Sequence, residues 1–164
     1  MAELTHLEEK LAEVTGLAMA AQTATDKVRK LTEEEDESLV EALQRMAEEA
    51  KATQERCEEV ASSIEGKKTA IADMARETKQ KASEMMDTYL DEDSDALDGF
   101  EFLTMAEAAE VGHLQVLGTL AETAGDGKVQ ELVQWALPIQ ERHFQQVLEG
   151  SKTLAAEEDP NETS

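Results

Sequence analysis

The sequence predicts an all-α protein, an up-and-down antiparallel bundle of four to five helices. Apolar residues make up 40% of the 164 residues but aromatic residues only 3%, and 8 glycines and 2 prolines complete a composition typical of helices. Apolar positions recur at spacings of three and four along most of the chain. Because the polar breaks between these stretches are short, successive helices are expected to run antiparallel. We expect a single helical-bundle domain over residues 1–157 and a disordered acidic tail over 158–164.

The first two helices are predicted on either side of the polar run "TEEEDES" at 32–38. Apolar side chains step by three and four from Leu4 to Leu31, and the same pattern resumes from Leu39 to Ile64. No glycine or proline interrupts the polar run, so one continuous helix, about 95 Å long at the standard rise, is an alternative. Two separate helices are the preferred interpretation.

The remaining three helices are separated by clear breaks. A third helix is predicted over about 68–90 and ends at the acidic loop "DEDSD". Ser94 or Asp95 can then cap a fourth helix, because both side chains accept hydrogen bonds from the first turn. The fourth helix ends at the turn "GDGK", residues 125–128, and the fifth is predicted over about 129–155.

The chain is strongly acidic, with 38 acidic against 15 basic residues and a formal net charge of -23. This charge repels phosphate backbones and anionic headgroups, so nucleic acid and membranes are poor partners. It suits solubility or the attraction of cations, and it leaves self-association into a homo-oligomer open. The single cysteine, Cys57, excludes an internal disulfide, and the N-terminus lacks the apolar core of a signal peptide, so we expect a cytoplasmic location.

The predicted fourth helix interrupts its apolar stripe within the segment "EAAEVGH" at 107–113. Glu107 and Glu110 take two consecutive positions of this stripe, whose apolar members are Phe100, Leu103, Leu114, Leu117 and Ala121. A buried, unpaired carboxylate costs several kcal/mol, so something must compensate these two. His113 follows Glu110 by three residues, a spacing that turns both side chains toward one volume and makes Glu-x-x-His a chelating pair.

The turn at 125–128 predicts which residues of the fifth helix face this layer. Residues equidistant from the turn centre share a level in an antiparallel hairpin. With the centre between Asp126 and Gly127, Glu110 faces His143 and His113 faces Gln140. Carboxylate oxygens and imidazole nitrogens gathered in a bundle core are ligands for iron, manganese or zinc.

The other helices offer weaker candidates at a similar height. Counting back across the loop at 91–95 puts Glu77 near the level of Glu110 with an error of one turn, so Asp73 or Glu84 can replace it. The first two helices offer polar side chains at a roughly comparable height, namely Glu13, Gln54 and Glu55.

These residues resemble a known family. Glu110-x-x-His113 on one helix, with His143 facing it in a helical bundle, resembles the ferritin-like superfamily of carboxylate-bridged di-iron proteins, which includes ferritins and rubrerythrins. The stretch from about 94 to 147 is similar to bacterial ferritin-like proteins of unassigned role. The chain departs from the family pattern of two Glu-x-x-His pairs, because the second pair reads Gln140-x-x-His143. A one-metal site is therefore an alternative to a two-metal centre.

The resemblance implies that metal ions are partners of this protein, with one or two ions of iron or manganese as cofactor. It implies that Glu110 bridges the metals, that His113 is a terminal ligand and that His143 is the second histidine, with Glu107 and Glu77 as further ligands. Oxidase or peroxidase activity, or iron handling in a stress response, would follow from the same resemblance.

A second interpretation belongs to a different class of function. The chain would be a non-catalytic acidic bundle that acts through helix–helix contacts or self-association. A hydrogen bond between Glu110 and His143 would then compensate both groups without metal. In this interpretation the histidine layer serves only to set the register of the helices.

Overall fold

The chain folds into five α-helices in a computed structural model that describes residues 2–163. Met1 and Ser164, the outer ends of the predicted domain and of the predicted tail, lie outside the described residues. The helices are α1 (His6–Leu31), α2 (Glu37–Ser62), α3 (Lys68–Tyr89), α4 (Ala96–Ala124) and α5 (Gly127–Ala155). Residues 2–163 contain no strand. The predicted all-α class and the division into five helices are confirmed.

Polar side chains end α1 and begin α2, so the alternative of one continuous helix is wrong. The hydroxyl of Thr32 donates hydrogen bonds to the carbonyl oxygens of Val28 and Arg29, at 2.8 and 2.9 Å. The carboxylate of Asp36 accepts a hydrogen bond of 2.8 Å from the backbone N–H of Ser38. The Thr32 hydroxyl thus satisfies carbonyl oxygens at the end of α1, and the Asp36 carboxylate satisfies an N–H at the start of α2, so neither helix end requires Gly or Pro.

Four of the helices form an antiparallel bundle, and the fifth packs outside it. α1 packs against α2 and α4, while α5 packs against α4 and α2. α3 lies on the outer face of α1 and runs parallel to it, since Ile71 packs near Leu11 at one end and Met86 packs near Ala24 at the other. This arrangement keeps α4 and α5 as direct neighbours through most of their length.

The apolar core is divided into two clusters along the bundle. The larger side chains of one cluster are Leu11, Ile71, Leu114, Leu117, Val129 and Leu132. Those of the other are Val28, Leu43, Met46, Phe100, Leu103 and Val147. Between the clusters lies a set of four buried polar residues, here named the polar layer: Glu107, Glu110, Gln140 and His143.

The turn between α4 and α5 is tighter than the sequence predicts. α4 ends at Ala124 and α5 begins at Gly127, so only two residues join them. Gly125 adopts a left-handed conformation with φ of 67°, which glycine tolerates best. The side chain of Asp126 accepts a hydrogen bond of 3.0 Å from the N–H of Val129 and caps α5. A given residue of α4 therefore faces a residue of α5 that lies about two positions closer to the turn than expected.

Two further features of the chain concern its surface. No helix within residues 2–163 is both long and apolar enough to cross a bilayer. Residues 156–163 follow α5 and are exposed. The domain boundary at 157, the disorder of the tail and the cytoplasmic location stay predictions.

Candidate metal centre

The polar layer is built by two helices that share a two-residue turn. α4 places Glu107 and Glu110 one turn apart on its inner face, where their exposed fractions are 1% and 9%. α5 contributes Gln140 and His143, with exposed fractions of 6% and 2%. The polar positions thus coincide in height on both helices, as the sequence predicts.

The contacts within the layer differ from the predicted pairs. The amide nitrogen of Gln140 donates hydrogen bonds to Oε2 of Glu107 and to Oε2 of Glu110, the second at 3.2 Å. Nδ1 of His143 lies 3.8 Å from Oε2 of Glu107. His143 therefore faces Glu107 instead of Glu110, and Gln140 faces both glutamates instead of His113. The tight turn accounts for this shift, because it moves α5 by about two positions relative to α4.

α2 adds a residue that the sequence did not single out. Nε2 of His143 lies 3.3 Å from Oε1 of Glu49, and the guanidinium of Arg142 donates to the other oxygen of Glu49. The predicted candidates on this helix were Gln54 and Glu55, one to two turns away. No short turn joins α2 to α5, so residue counting could not set their relative height. The one available signal was that Glu49 directly precedes Ala50, which lies on the buried stripe of α2.

Burial controls the protonation of the layer. Burial raises the pKa of Glu107 to about 7. Burial, and then the charge of Glu107, raise the pKa of Glu110 well above its ordinary value. The pKa of His143 is lowered by burial, although Glu49 acts in the opposite direction. Burial thus favours the protonated form of both glutamates and the neutral form of the imidazole, which leaves one ring nitrogen free to accept a hydrogen bond or to bind a metal.

Two of the five predicted ligands lie away from the polar layer. His113 is partly exposed, and its Nδ1 lies 3.2 Å from Nζ of Lys10 and 3.4 Å from Oε2 of Glu13. Burial and the charge of Lys10 lower its pKa. Glu77 is exposed on α3 and lines a surface pocket with Glu13 and His113. A helix turns by about 100° per residue, so three residues advance it by about 300°, which is about 60° short of a full turn. This offset is enough to turn His113 toward α1.

The layer does not fit the two-metal centre that the family resemblance implies. Within residues 2–163 no three His, Cys, Asp or Glu side chains are grouped closely enough to hold a metal ion. The amide hydrogens of Gln140 point into the space between the glutamates, where a cation would sit. Two carboxyl groups and a neutral imidazole are nevertheless a suitable donor set for one ion. Binding would require these three side chains to move closer together and the amide of Gln140 to turn its oxygen inward.

Comparison with known proteins supports the fold and not a family. No protein-family model matches the chain, and no curated protein matches it. The solved structure of the E. coli stress protein YciF has a similar fold, with a TM-score of 0.68. It is 18% identical in sequence, and the match covers 93% of this chain and 96% of that chain. The likeness therefore extends over nearly the whole of both chains.

Proposed function

We propose that this chain is a ferritin-like bundle that binds one iron or manganese ion at the polar layer through Glu107, Glu110 and His143. The observation that carries the proposal is two adjacent buried carboxyl groups beside an imidazole, 3.8 Å from the nearer carboxylate oxygen. Within residues 2–163 neither carboxyl group forms an ion pair with a lysine or an arginine. The likeness to a stress protein supports a role in a stress response.

A cation would remove the main electrostatic cost of the layer. Taking a carboxylate out of water costs several kcal/mol unless a charge or hydrogen bonds compensate it. In the metal-free chain burial favours the protonated forms and raises the pKa of both glutamates, whereas the amide of Gln140 stabilises the charged forms and acts in the opposite direction. A divalent ion supplies more positive charge at the same place. Bound iron or manganese would also supply redox chemistry, and the resemblance implies an oxidase, peroxidase or iron-handling activity.

Glu49 would position the histidine ligand. Its carboxylate lies 3.3 Å from Nε2 of His143 and is itself held by Arg142. A carboxylate at Nε2 favours the proton on that nitrogen and leaves the lone pair on Nδ1, the nitrogen that faces Glu107. Glu49 thus selects the tautomer of His143 that can bind a metal beside Glu107.

Thermal melting with and without metal tests this proposal. Added Fe(II) under anaerobic conditions, or Mn(II) or Zn(II), should raise the Tm of metal-free wild-type protein, because a ligand bound only by the folded state stabilises it by about 2.7 kcal/mol at 100 times its Kd. Glu110→Ala and His143→Ala should each abolish the shift. His113→Ala is the matched control and should retain it, since His113 contacts Lys10 instead of the layer. A wild-type Tm that does not respond to metal contradicts the proposal.

A second candidate is a bundle whose layer is purely structural, as the two hydrogen bonds of Gln140 favour. In that case Glu110→Ala and His143→Ala both lower the Tm, and metal changes the Tm of no variant. Gln140→Glu separates the two candidates. It adds a third buried carboxylate, which a metal ion would use as a ligand and a structural layer could only repel. Strong destabilisation of Gln140→Glu that added metal does not reverse would favour the structural candidate.

A further inference from the structure

A groove runs between α3 and α4, with α1 as its floor. Its volume is about 240 Å³. α3 packs on α1 and leaves α4 uncovered here, and the side chains along the gap are small. Six alanines line it, namely Ala20, Ala21, Ala24, Ala82, Ala106 and Ala109. Longer apolar side chains, including Leu17, Met86 and Phe102, form its walls.

The groove passes along the polar layer. Glu107 and Glu110 both line it, on the side of the layer opposite to Glu49 and Arg142. Each carboxyl group accepts a hydrogen bond from Gln140, and each retains further acceptor positions. Glu107 and Glu110 are thus two acidic residues in a groove lined mainly by apolar side chains, with Lys81 and His113 also in its lining.

We propose that this groove binds a small lipophilic ammonium ion, a primary amine on an apolar body, with its nitrogen at Glu107 and Glu110. The volume of 240 Å³ lies below the roughly 300 to 1,000 Å³ of pockets that hold drug-sized molecules, so the ligand is a small molecule. The apolar body contacts the alanines, and the ammonium supplies the positive charge that the carboxyl groups lack. The net charge of -23 favours a cation over an anion of the same shape.

The inference does not rest on metal binding. It uses the groove face of the two glutamates and does not require His143. Because amine and metal would compete for the same carboxyl groups, each should weaken the binding of the other. Amine binding measured on metal-free protein therefore tests this inference alone, and the metal-induced shift in Tm tests the metal site alone.

Isothermal titration of the metal-free protein near pH 7 tests the inference. Hexylammonium or benzylammonium should bind at one saturable site. Hexanol, which has the same body without the charge, should bind at least about tenfold more weakly, because its hydroxyl cannot form a hydrogen bond between opposite charges with a carboxylate. Hexanoate should not bind. Glu107→Gln should weaken amine binding by a factor of about ten or more, for the same reason.

Variants that fill the groove provide the matched test. Ala106→Leu adds a large side chain to the groove wall and should abolish amine binding while leaving the metal-induced shift in Tm. Ala108→Leu, on the exposed face of the same helix, should leave both unchanged. His143→Ala should abolish the metal shift and leave amine binding intact.

Three results would overturn the inference. One is the absence of saturable amine binding to wild-type protein. Another is amine binding to Ala106→Leu, shown to be folded by circular dichroism, with wild-type affinity. The third is tighter binding of hexanoate than of hexylammonium, which would point to Lys81 at the groove instead of the glutamates.

Discussion

Gln140 determines how the two buried glutamates are compensated when no metal is bound. Its amide carries two hydrogens, and it donates to both Glu107 and Glu110. A carboxylate at this position would repel both glutamates, so it would require a cation. One side-chain amide therefore allows the layer to persist in the metal-free protein, and it also occupies the space that a second metal would need.

The stability of the metal-free protein should depend on pH through Glu107. The folded state holds a proton on Glu107 up to about pH 7, whereas the ordinary pKa is 4.5. Since the folded state binds this proton more tightly, the associated stability is fully present below pH 4.5 and is lost as pH rises to 7. The loss is on the order of 3 kcal/mol. We expect Glu107→Gln to remove this decline, as measured by urea denaturation between pH 4.5 and 8.

His143 provides the internal comparison for that experiment. Its pKa is lowered by burial, so its contribution is present above its ordinary pKa of 6.5 and is lost as pH falls below it. The histidine thus changes stability with pH in the opposite direction to the glutamates. Only the difference in stability between wild type and Glu107→Gln isolates the contribution of the Glu107 carboxyl group. Parallel pH profiles for the two proteins would show that Glu107 ionises normally in the folded state.

The pair α1 and α3 shows how one glycine sets the distance between two elements. A Cβ at Gly16 would lie 2.6 Å from Cβ of Thr78 and would also collide with the carbonyl oxygen of Ala75. Distances below 3.0 Å do not occur between such atoms, so α3 can approach α1 this closely only because residue 16 is glycine. The same approach places α3 beside α4 and creates one wall of the apolar groove.

We therefore expect Gly16→Ala to destabilise the protein by about 1 to 3 kcal/mol, because α3 must move away from α1. Gly112→Ala is the matched control on α4. A Cβ there would meet no atom within 4 Å, so the gain in helix propensity should stabilise the protein by about 0.5 to 1 kcal/mol. Midpoints of chemical denaturation measure both changes. Equal effects of the two substitutions would show that α3 does not pack on α1 at this distance.

At the scale of the whole molecule, charge opposes folding. The net charge is -23, and many of the ion pairs join exposed residues three or four positions apart on one helix, such as Arg29 with Asp26. Exposed pairs of this kind contribute little to stability. Repulsion among the remaining carboxylates is therefore a general cost of the compact state, and it is spread over the surface.

Salt should consequently stabilise this protein. Raising NaCl from 20 mM to 500 mM shortens the screening length from above 10 Å to below 5 Å or so. We expect stability to rise by about 1 kcal/mol and Tm by roughly 2 to 4 °C, the usual conversion for a chain of this size. A sucrose series serves as the uncharged control. A Tm that falls with NaCl would mean that favourable ion pairs outweigh the repulsion.

Local sequence patterns were sufficient to predict the helices and the interruption of the apolar stripe. Apolar spacing located five helices, and the stripe was predicted to break at one height in α4 and α5, with Glu110 facing His143 and His113 facing Gln140. Asp95, one of two predicted caps for α4, accepts a hydrogen bond of 2.9 Å from the N–H of Asp98. These features depend on contacts within a few residues, or across one tight turn, and so they are encoded locally.

The polar side chains that come into contact were set by the packing of the helices against one another. The two-residue turn at Gly125 and Asp126 paired His143 with Glu107, and packing of α2 against α5 brought Glu49 to the other side of the ring. His113 turned toward α1 although its spacing from Glu110 suits a chelating pair. A helix rotation of about 60°, or a slide of two residues, changes every such contact. Those small displacements are set by the packing of all five helices together, which no local stretch of sequence specifies.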